Sequence, residues 1–170
     1  MAKLAETMDN TVKAITIKTG KYLTFILAEE EYGIGILKVK EIIGMMPITT
    51  IPRTPESLKG VINLRGKVIP IIDLRLKFNM EAIPYSDRTC IIVVEIDSNA
   101  ATLLIGIVVD AVSEVLNIRE EEIEETPKFG TSLNTEYILG MAKRDGGVKI
   151  LLNIDKVLSS EEITGIGEAF

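Results

Sequence analysis

Three blocks of this chain recur in order and in register, and that duplication limits the possible folds more than any single motif does. Gly33-Ile34, Val39 and Glu41-Ile42-Ile43 return later, identically spaced, as Gly106-Ile107, Val112 and Glu114-Val115-Leu116. Ile48 with Pro52-Arg53 returns as Ile123 with Pro127-Lys128. Glu56, Gly60, Gly66 and Val68 return as Glu136, Gly140, Gly146 and Val148, with IIDL matched by LLNI behind them. Within a block the offset is constant, and from block to block it only grows, as small loop insertions require. One block alone is weak evidence, because apolar repeats arise by chance in strand proteins, but three in register define two divergent copies. They cover residues 17–86 and 87–170, behind a polar tail at 1–16.

Within the copies, strand signals dominate. Leu23, Phe25 and Leu27 alternate with Thr24 and Ile26, an acidic turn Glu29-Glu30-Glu31 follows, and YGIGI starts the return strand of a hairpin. Asn63 to Lys67 turns the chain between VIN and VIPII, with Gly66 where a positive φ is required. IIVVEI and LLIGIVV flank DSNAA as a third hairpin. Each copy holds about five short strands, and a sheet that small must curl to hide its edges. The expected fold class is therefore all-β: two small five-stranded antiparallel β-barrels from an internal duplication, with exchange of elements between the copies left open. Helix signals are short. TPESLKG places Thr54 to cap, Pro55 in a first turn and Gly60 at its end, and Ser159 with Glu162 forms a capping box for a C-terminal helix.

A net charge of −6 argues against nucleic acid as the main partner, since phosphates require clustered Lys and Arg, and disfavours docking on anionic lipid. Four Phe, four Tyr and no Trp provide little for stacking bases. The single cysteine, Cys90, excludes an internal disulfide, and the longest apolar run, Leu103 to Val109, is far too short to span a bilayer. A cytoplasmic protein without membrane insertion is expected.

Chemistry is conspicuous by what is missing. There is no histidine, which removes the commonest general base, the Ser-His and Cys-His pairs and the commonest metal ligand. GVINLRGKV looks like a phosphate loop, but the spacer between its glycines is one residue too long, Val68 stands where a hydroxyl would hold magnesium, and the β-branched VIPIID after it cannot open a helix. YGIGILK lacks the third glycine of a dinucleotide fingerprint, and REEEIEE at 119–125 reads as a solvated loop. No catalytic residue, cofactor, metal or small-molecule substrate is expected.

What remains is a binding module. In VIPII, Val68, Pro70 and Ile72 occupy one face and Ile69 and Ile71 the other, and both faces are apolar. Two readings stand open: the sister barrel or the terminal helix covers the outer face, or a partner lands there. LLIGIVV, with Ile107 and Val109, poses the same choice. Glu41 has a repeat counterpart in Glu114, whereas Arg65 faces Asp145 and so belongs to the first copy alone.

EYGIGILKVKEII, IPRTPESLKGVINLRGKVIPIIDLRLKF, IGIVVDAVSEVL, TEYILG and ILLNIDKVL together resemble, in order and from about residue 22 to 163, the CheW family of bacterial chemotaxis coupling proteins. The regulatory domain of the chemotaxis histidine kinase CheA shares much of the pattern, and the absence of kinase regions favours the free coupling protein. The resemblance implies barrels of the SH3-like and OB-like types. It implies an adaptor without enzyme activity, joining the cytoplasmic tips of methyl-accepting chemoreceptors to CheA and recruited to membrane-associated receptor arrays. It also implies that Glu41 and Arg65 form a charged pair important for coupling, and that Val39, Gly60 and Gly66 sit in functionally sensitive surroundings. With Asn63 of the turn and the apolar faces at Ile69, Ile71, Ile107 and Val109, these residues make up the expected partner-binding set. A barrel that binds nucleic acid is the alternative, on fold analogy alone, and a carboxylate-based hydrolase is a third.

Overall fold

A computed structural model of the chain describes residues 20–98, 101–125 and 137–158. The tail at 1–16, Pro127-Lys128 and the C-terminal helix expected after Ser159 lie outside the described residues. The strands are β1 (Gly20–Leu27), β2 (Glu30–Gly35), β3 (Val39–Gly44), β4 (Leu58–Leu64), β5 (Lys67–Asp73), β6 (Cys90–Ser98), β7 (Ala101–Val109), β8 (Ala111–Ile118), β9 (Ile123–Glu124), β10 (Ile138–Arg144) and β11 (Gly147–Leu152). They form two sheets, β8-β1-β2-β11-β10-β9 and β3-β6-β7-β5-β4. Single helical turns, α1 (Leu74–Lys77) and α2 (Ile154–Val157), follow β5 and β11, and their N-caps Asp73 and Asn153 accept from the N–H of Leu76 and Lys156.

The all-β class is as expected, with two corrections. The first sheet has six strands, and neither sheet is purely antiparallel: β2 runs parallel to β11, and β5 to β7. The repeat is spatial as well as sequential. Under it β8, β1, β2, β11 and β10 correspond to β3, β6, β7, β5 and β4, so the two strand orders are the same. Even the short β9, which pairs Glu124 with Met141, is answered in the other sheet by a bridge between their repeat counterparts, Thr49 and Val61. Gly33 lies opposite Leu151, as Gly106 lies opposite Ile71. Each sequence copy thus supplies strands to both sheets, and the hairpins β1–β2 and β6–β7 have changed places.

Period-two alternation explains why the strands are apolar on both faces. Ile92, Val94 and Ile96 of β6 and Ile105, Ile107 and Val109 of β7 meet Leu23, Phe25 and Leu27 of β1 in a central cluster between the sheets. The opposite faces build separate clusters: Ile62, Ile69, Ile71, Ile91, Val93 and Val108 in the second sheet, and Tyr22, Ile118, Ala142 and Leu151 in the first. Four aromatic rings cross the central region as a stacked row, Phe25–Tyr32–Phe78–Tyr137, with centroids 6.0, 6.2 and 5.5 Å apart.

Local expectations fared unevenly. Leu64 to Lys67 is a two-residue hairpin, with φ of 50° at Arg65 and 86° at Gly66, and the Gly66 N–H donates to Asn63 Oδ1 at 2.9 Å. The first hairpin turns at Ala28-Glu29, both at positive φ, and Glu30 and Glu31 already belong to β2. TPESLKG forms no helix. The Thr54 hydroxyl donates to Ile51 O, and Leu58 enters β4 opposite Ile72, so strand pairing overrides a weak local cap. Gly60, expected as a helix end, sits at a register shift in β4 with φ of 141°, and a Cβ there would lie 2.0 Å from Thr49 O. REEEIEE is not simply a solvated loop: Glu122 accepts from the Arg119 N–H, and Ile123 packs in the third cluster.

One mostly buried ion pair ties the elements together. Arg75 of α1 grips Asp110, between β7 and β8, through Nε and Nη2 at 2.8 and 2.7 Å, and Asp110 Oδ2 also accepts from the Ala28 N–H at 2.9 Å. Burial pushes the Asp110 carboxyl up, but the bonds from Arg75 and Ala28 outweigh it and hold the carboxyl below its ordinary value. A lowered folded value means stabilisation that is present above the unfolded pKa and lost as pH falls through the folded one.

Gly60→Ala, facing both a backbone clash and a forbidden φ, should cost about 3 kcal/mol in urea unfolding, whereas Gly66→Ala, which meets only the φ penalty, should cost about 1 kcal/mol. Asp110→Asn should cost about 1–2 kcal/mol at neutral pH, after allowance for partial exposure, and its difference from the parent should shrink below about pH 4 in thermal melts.

Candidate functional site

The β4–β5 hairpin presents Arg65 at its tip because a type I′ geometry needs two consecutive positive φ values, which Arg65 and Gly66 supply. From there the guanidinium reaches Glu41 of β3 as a two-pronged contact, Nη1 donating to Oε1 at 3.0 Å and Nη2 to Oε2. β3 and β4 stand at opposite ends of the second sheet's order, so this fork joins its two ends. In the first sheet, Arg144 Nη1 of β10 donates to Asn117 O of β8 at 3.0 Å and bridges the corresponding strands. The hydrogen bond from Arg65 lowers the Glu41 pKa, and the same bond raises that of Arg65. Both groups are solvent-facing, so their pairing contributes little to stability and instead fixes the orientation of a charge a partner can meet.

The structure brings Glu41, Asn63, Arg65 and Gly66 together at this tip. Asn63 and Gly66 shape the turn, and, its chain neighbours aside, no heavy atom of the described residues lies within 4 Å of where a Gly66 Cβ would stand. Val39 is half-buried against the central cluster, and Gly60 serves the backbone contact with Thr49. The four apolar members of the expected set require correction. Ile69 and Ile71 are buried within the second sheet's own cluster, and Ile107 and Val109 within the central one. Of the two readings left open for these strands, cover by the molecule itself holds for Ile69, Ile71, Ile72, Ile107 and Val109, whereas Val68 stays exposed.

Of the apolar surface that does remain, sequence reasoning weighed only Val68, within the VIPII faces, as a landing place for a partner, and did not weigh Ile42, Val115 or Val148. Val68 is 59% exposed and Ile42 45%, and their repeat counterparts Val148 and Val115 are 49% and 51% exposed. Ile42 pairs with Ile92 and Val115 with Leu23, both core residues between the sheets, so these side chains extend the same faces beyond the area the sister sheet covers. Both pairs stood in the repeat, and their hydrophobic character at matched positions was the available signal. Leu37, in the helical turn between β2 and β3, is almost wholly exposed. Among the described residues no group of three or more His, Cys, Asp or Glu is placed to hold a metal. Among the same residues no helix is long and apolar enough to cross a membrane. A charged fork beside separate apolar patches suits protein recognition.

Comparison with known proteins bears on what is recognised. The family described as CheW-like domain matches residues 21–162. Chemotaxis protein CheW of Klebsiella aerogenes is 46% identical over 143 residues, which cover 84% of each chain. Chemotaxis protein CheW of Rhizobium meliloti is 33% identical over 155 residues, 91% of this chain and 97% of that one. The crystal structure of the scaffolding protein TtCheW from Thermoanaerobacter tengcongensis superimposes with a TM-score of 0.73 at 39% identity, covering 85% of this chain and 95% of that one.

The reassignment of buried and exposed residues is testable by denaturation. Ile71→Ala should lower stability by about 2–4 kcal/mol in urea, while Val68→Ala should stay within about 0.5 kcal/mol of the parent.

Proposed function

The chain belongs to the CheW-like family of chemotaxis proteins, and on that premise we propose that it is a non-enzymatic adaptor joining the cytoplasmic tips of chemoreceptors to the regulatory domain of the histidine kinase CheA. The observation that carries the reading is the Glu41–Arg65 fork, a two-pronged, solvent-facing charge pair presented by a two-residue turn. Exposed Ile42, Val68, Val115 and Val148 give apolar anchors on both sheets, which suits a molecule that holds two partners at once. Each contact would bury about 1,000 Å² or slightly more, enough for specific yet reversible association. Signal passes without any bond being made or broken. A receptor whose states differ in affinity for the adaptor changes, by that same free energy, the adaptor's hold on the kinase. The adaptor would act in the cytoplasm, at membrane-associated receptor arrays, with no nucleic acid or small-molecule substrate.

Co-purification with a receptor-tip fragment and with CheA tests the proposal, and capture of neither would end it. Arg65→Asp should reduce capture of the receptor fragment roughly ten-fold while the melting temperature moves by no more than about 2 °C. Adding Glu41→Arg should recover part of the binding, and a double-mutant cycle without coupling energy would exclude a role for the pair as a unit.

A further inference from the structure

The chain passes between the sheets at two described places, and each passage is held by a charged knot. Between β7 and β8 the knot consists of Asp110 with Arg75 of α1 and the Ala28 N–H of the β1–β2 turn. Between β2 and β3 it consists of Lys38, whose Nζ lies 2.7 Å from Asp155 of α2 and 3.4 Å from Asp97. Asp155 Oδ1 in turn accepts from the Asp97 N–H at 3.0 Å. The two knots use equivalent elements. In the repeat, Asp155 occupies the position of Arg75, and Asp110-Ala111 that of Leu37-Lys38. Their polarity is opposite: one helix carries the cation, the other the anion.

That reversal has a use, because the repeat permits a rival fold. Since the two strand orders are the same, each copy could close on itself, with β2 beside β5 and β7 beside β11. The apolar contacts scarcely discriminate, as a glycine, Gly33 or Gly106, meets an aliphatic residue, Leu151 or Ile71, in either arrangement. The charges do discriminate. In the unexchanged fold Arg75 would meet Leu37-Lys38 and Asp155 would meet Asp110, placing like charges together in both knots. We propose that Lys38, Arg75, Asp110 and Asp155 select the exchanged strand arrangement over the unexchanged one by penalising the alternative.

Spin-label distances test this in a Cys90→Ala background, on material shown to be monomeric by sedimentation, because a second copy donating its first hairpin would meet the same charges. Labels at Glu30→Cys and Val148→Cys lie on neighbouring strands of the exchanged fold, whereas Glu30→Cys and Val68→Cys would be neighbours in the unexchanged one. Reversing the helix charges, Arg75→Asp with Asp155→Arg, should lower the melting temperature by roughly 5–10 °C and deplete the short 30–148 distance. Adding Lys38→Asp and Asp110→Arg should restore the short 30–148 distance and recover part of the melting temperature, the remainder being lost with the carboxylates that accept from the Ala28 and Asp97 N–H groups. If the two-site variant keeps its melting temperature and its short 30–148 distance, or if the four-site variant fails to recover that distance, the charges do not choose the topology and the proposal is wrong.

Discussion

A strand that is apolar on both faces can be satisfied only between two layers, and this requirement organises the whole molecule. In β6 the odd-numbered Ile91 and Val93 fill the sheet's own interior while the even-numbered Ile92, Val94 and Ile96 press against the sister sheet. β7 divides in the same way, with Val108 turned inward and Ile105, Ile107 and Val109 toward the sister. Neither sheet can be separated from the other without exposing the central cluster, so the two are one cooperative unit in which hydrophobic burial is shared. The clamp from Arg75 to Asp110 then sits where the chain crosses from one layer to the other, adding direction to an attraction that has none of its own.

Much of this was legible in the residues. The repeat located the two equivalent sets of strands, and Gly66 announced its turn because glycine takes a positive φ without a Cβ penalty, whereas the positive φ of Arg65 emerged only in the structure. The exchange of hairpins was not legible, for a physical reason: the residues at the parallel junctions, Gly33 with Leu151 and Gly106 with Ile71, are chemically interchangeable between copies. The helix read at TPESLKG failed because its cap and its glycine carry only a short local preference, against a ladder that pairs Leu58 with Ile72 and a backbone contact that admits only glycine at position 60.

The candidate site divides along the same line. Of the polar members of the expected set, Asn63 and Arg65 are placed by short-range turn geometry, and Glu41 on β3 meets Arg65 across the sheet. Apolar members could not be sorted by alternation alone, because period two separates the faces of a strand without telling which face meets solvent. Ile69, Ile71, Ile107 and Val109 belong to the interior, and the exposed apolar surface begins where the sister sheet ends, at Val68 and Ile42 and at their counterparts Val148 and Val115. The extent of that overlap is set by how two sheets stack, a property of the assembled fold and not of any window of sequence.

The parallel junction of β2 with β11 joins the first hairpin of the chain to one of its last strands, with Tyr32 opposite Ile150. On the ribosome, the segment 20–35 emerges early yet cannot complete its sheet until the chain around Ile150 has been synthesised. The nascent hairpin therefore cannot reach its native neighbour through most of translation, and such long-range closure makes for slow folding. Any truncation that removes the final strands deprives the beginning of the chain, rather than only its end, of its place in the fold.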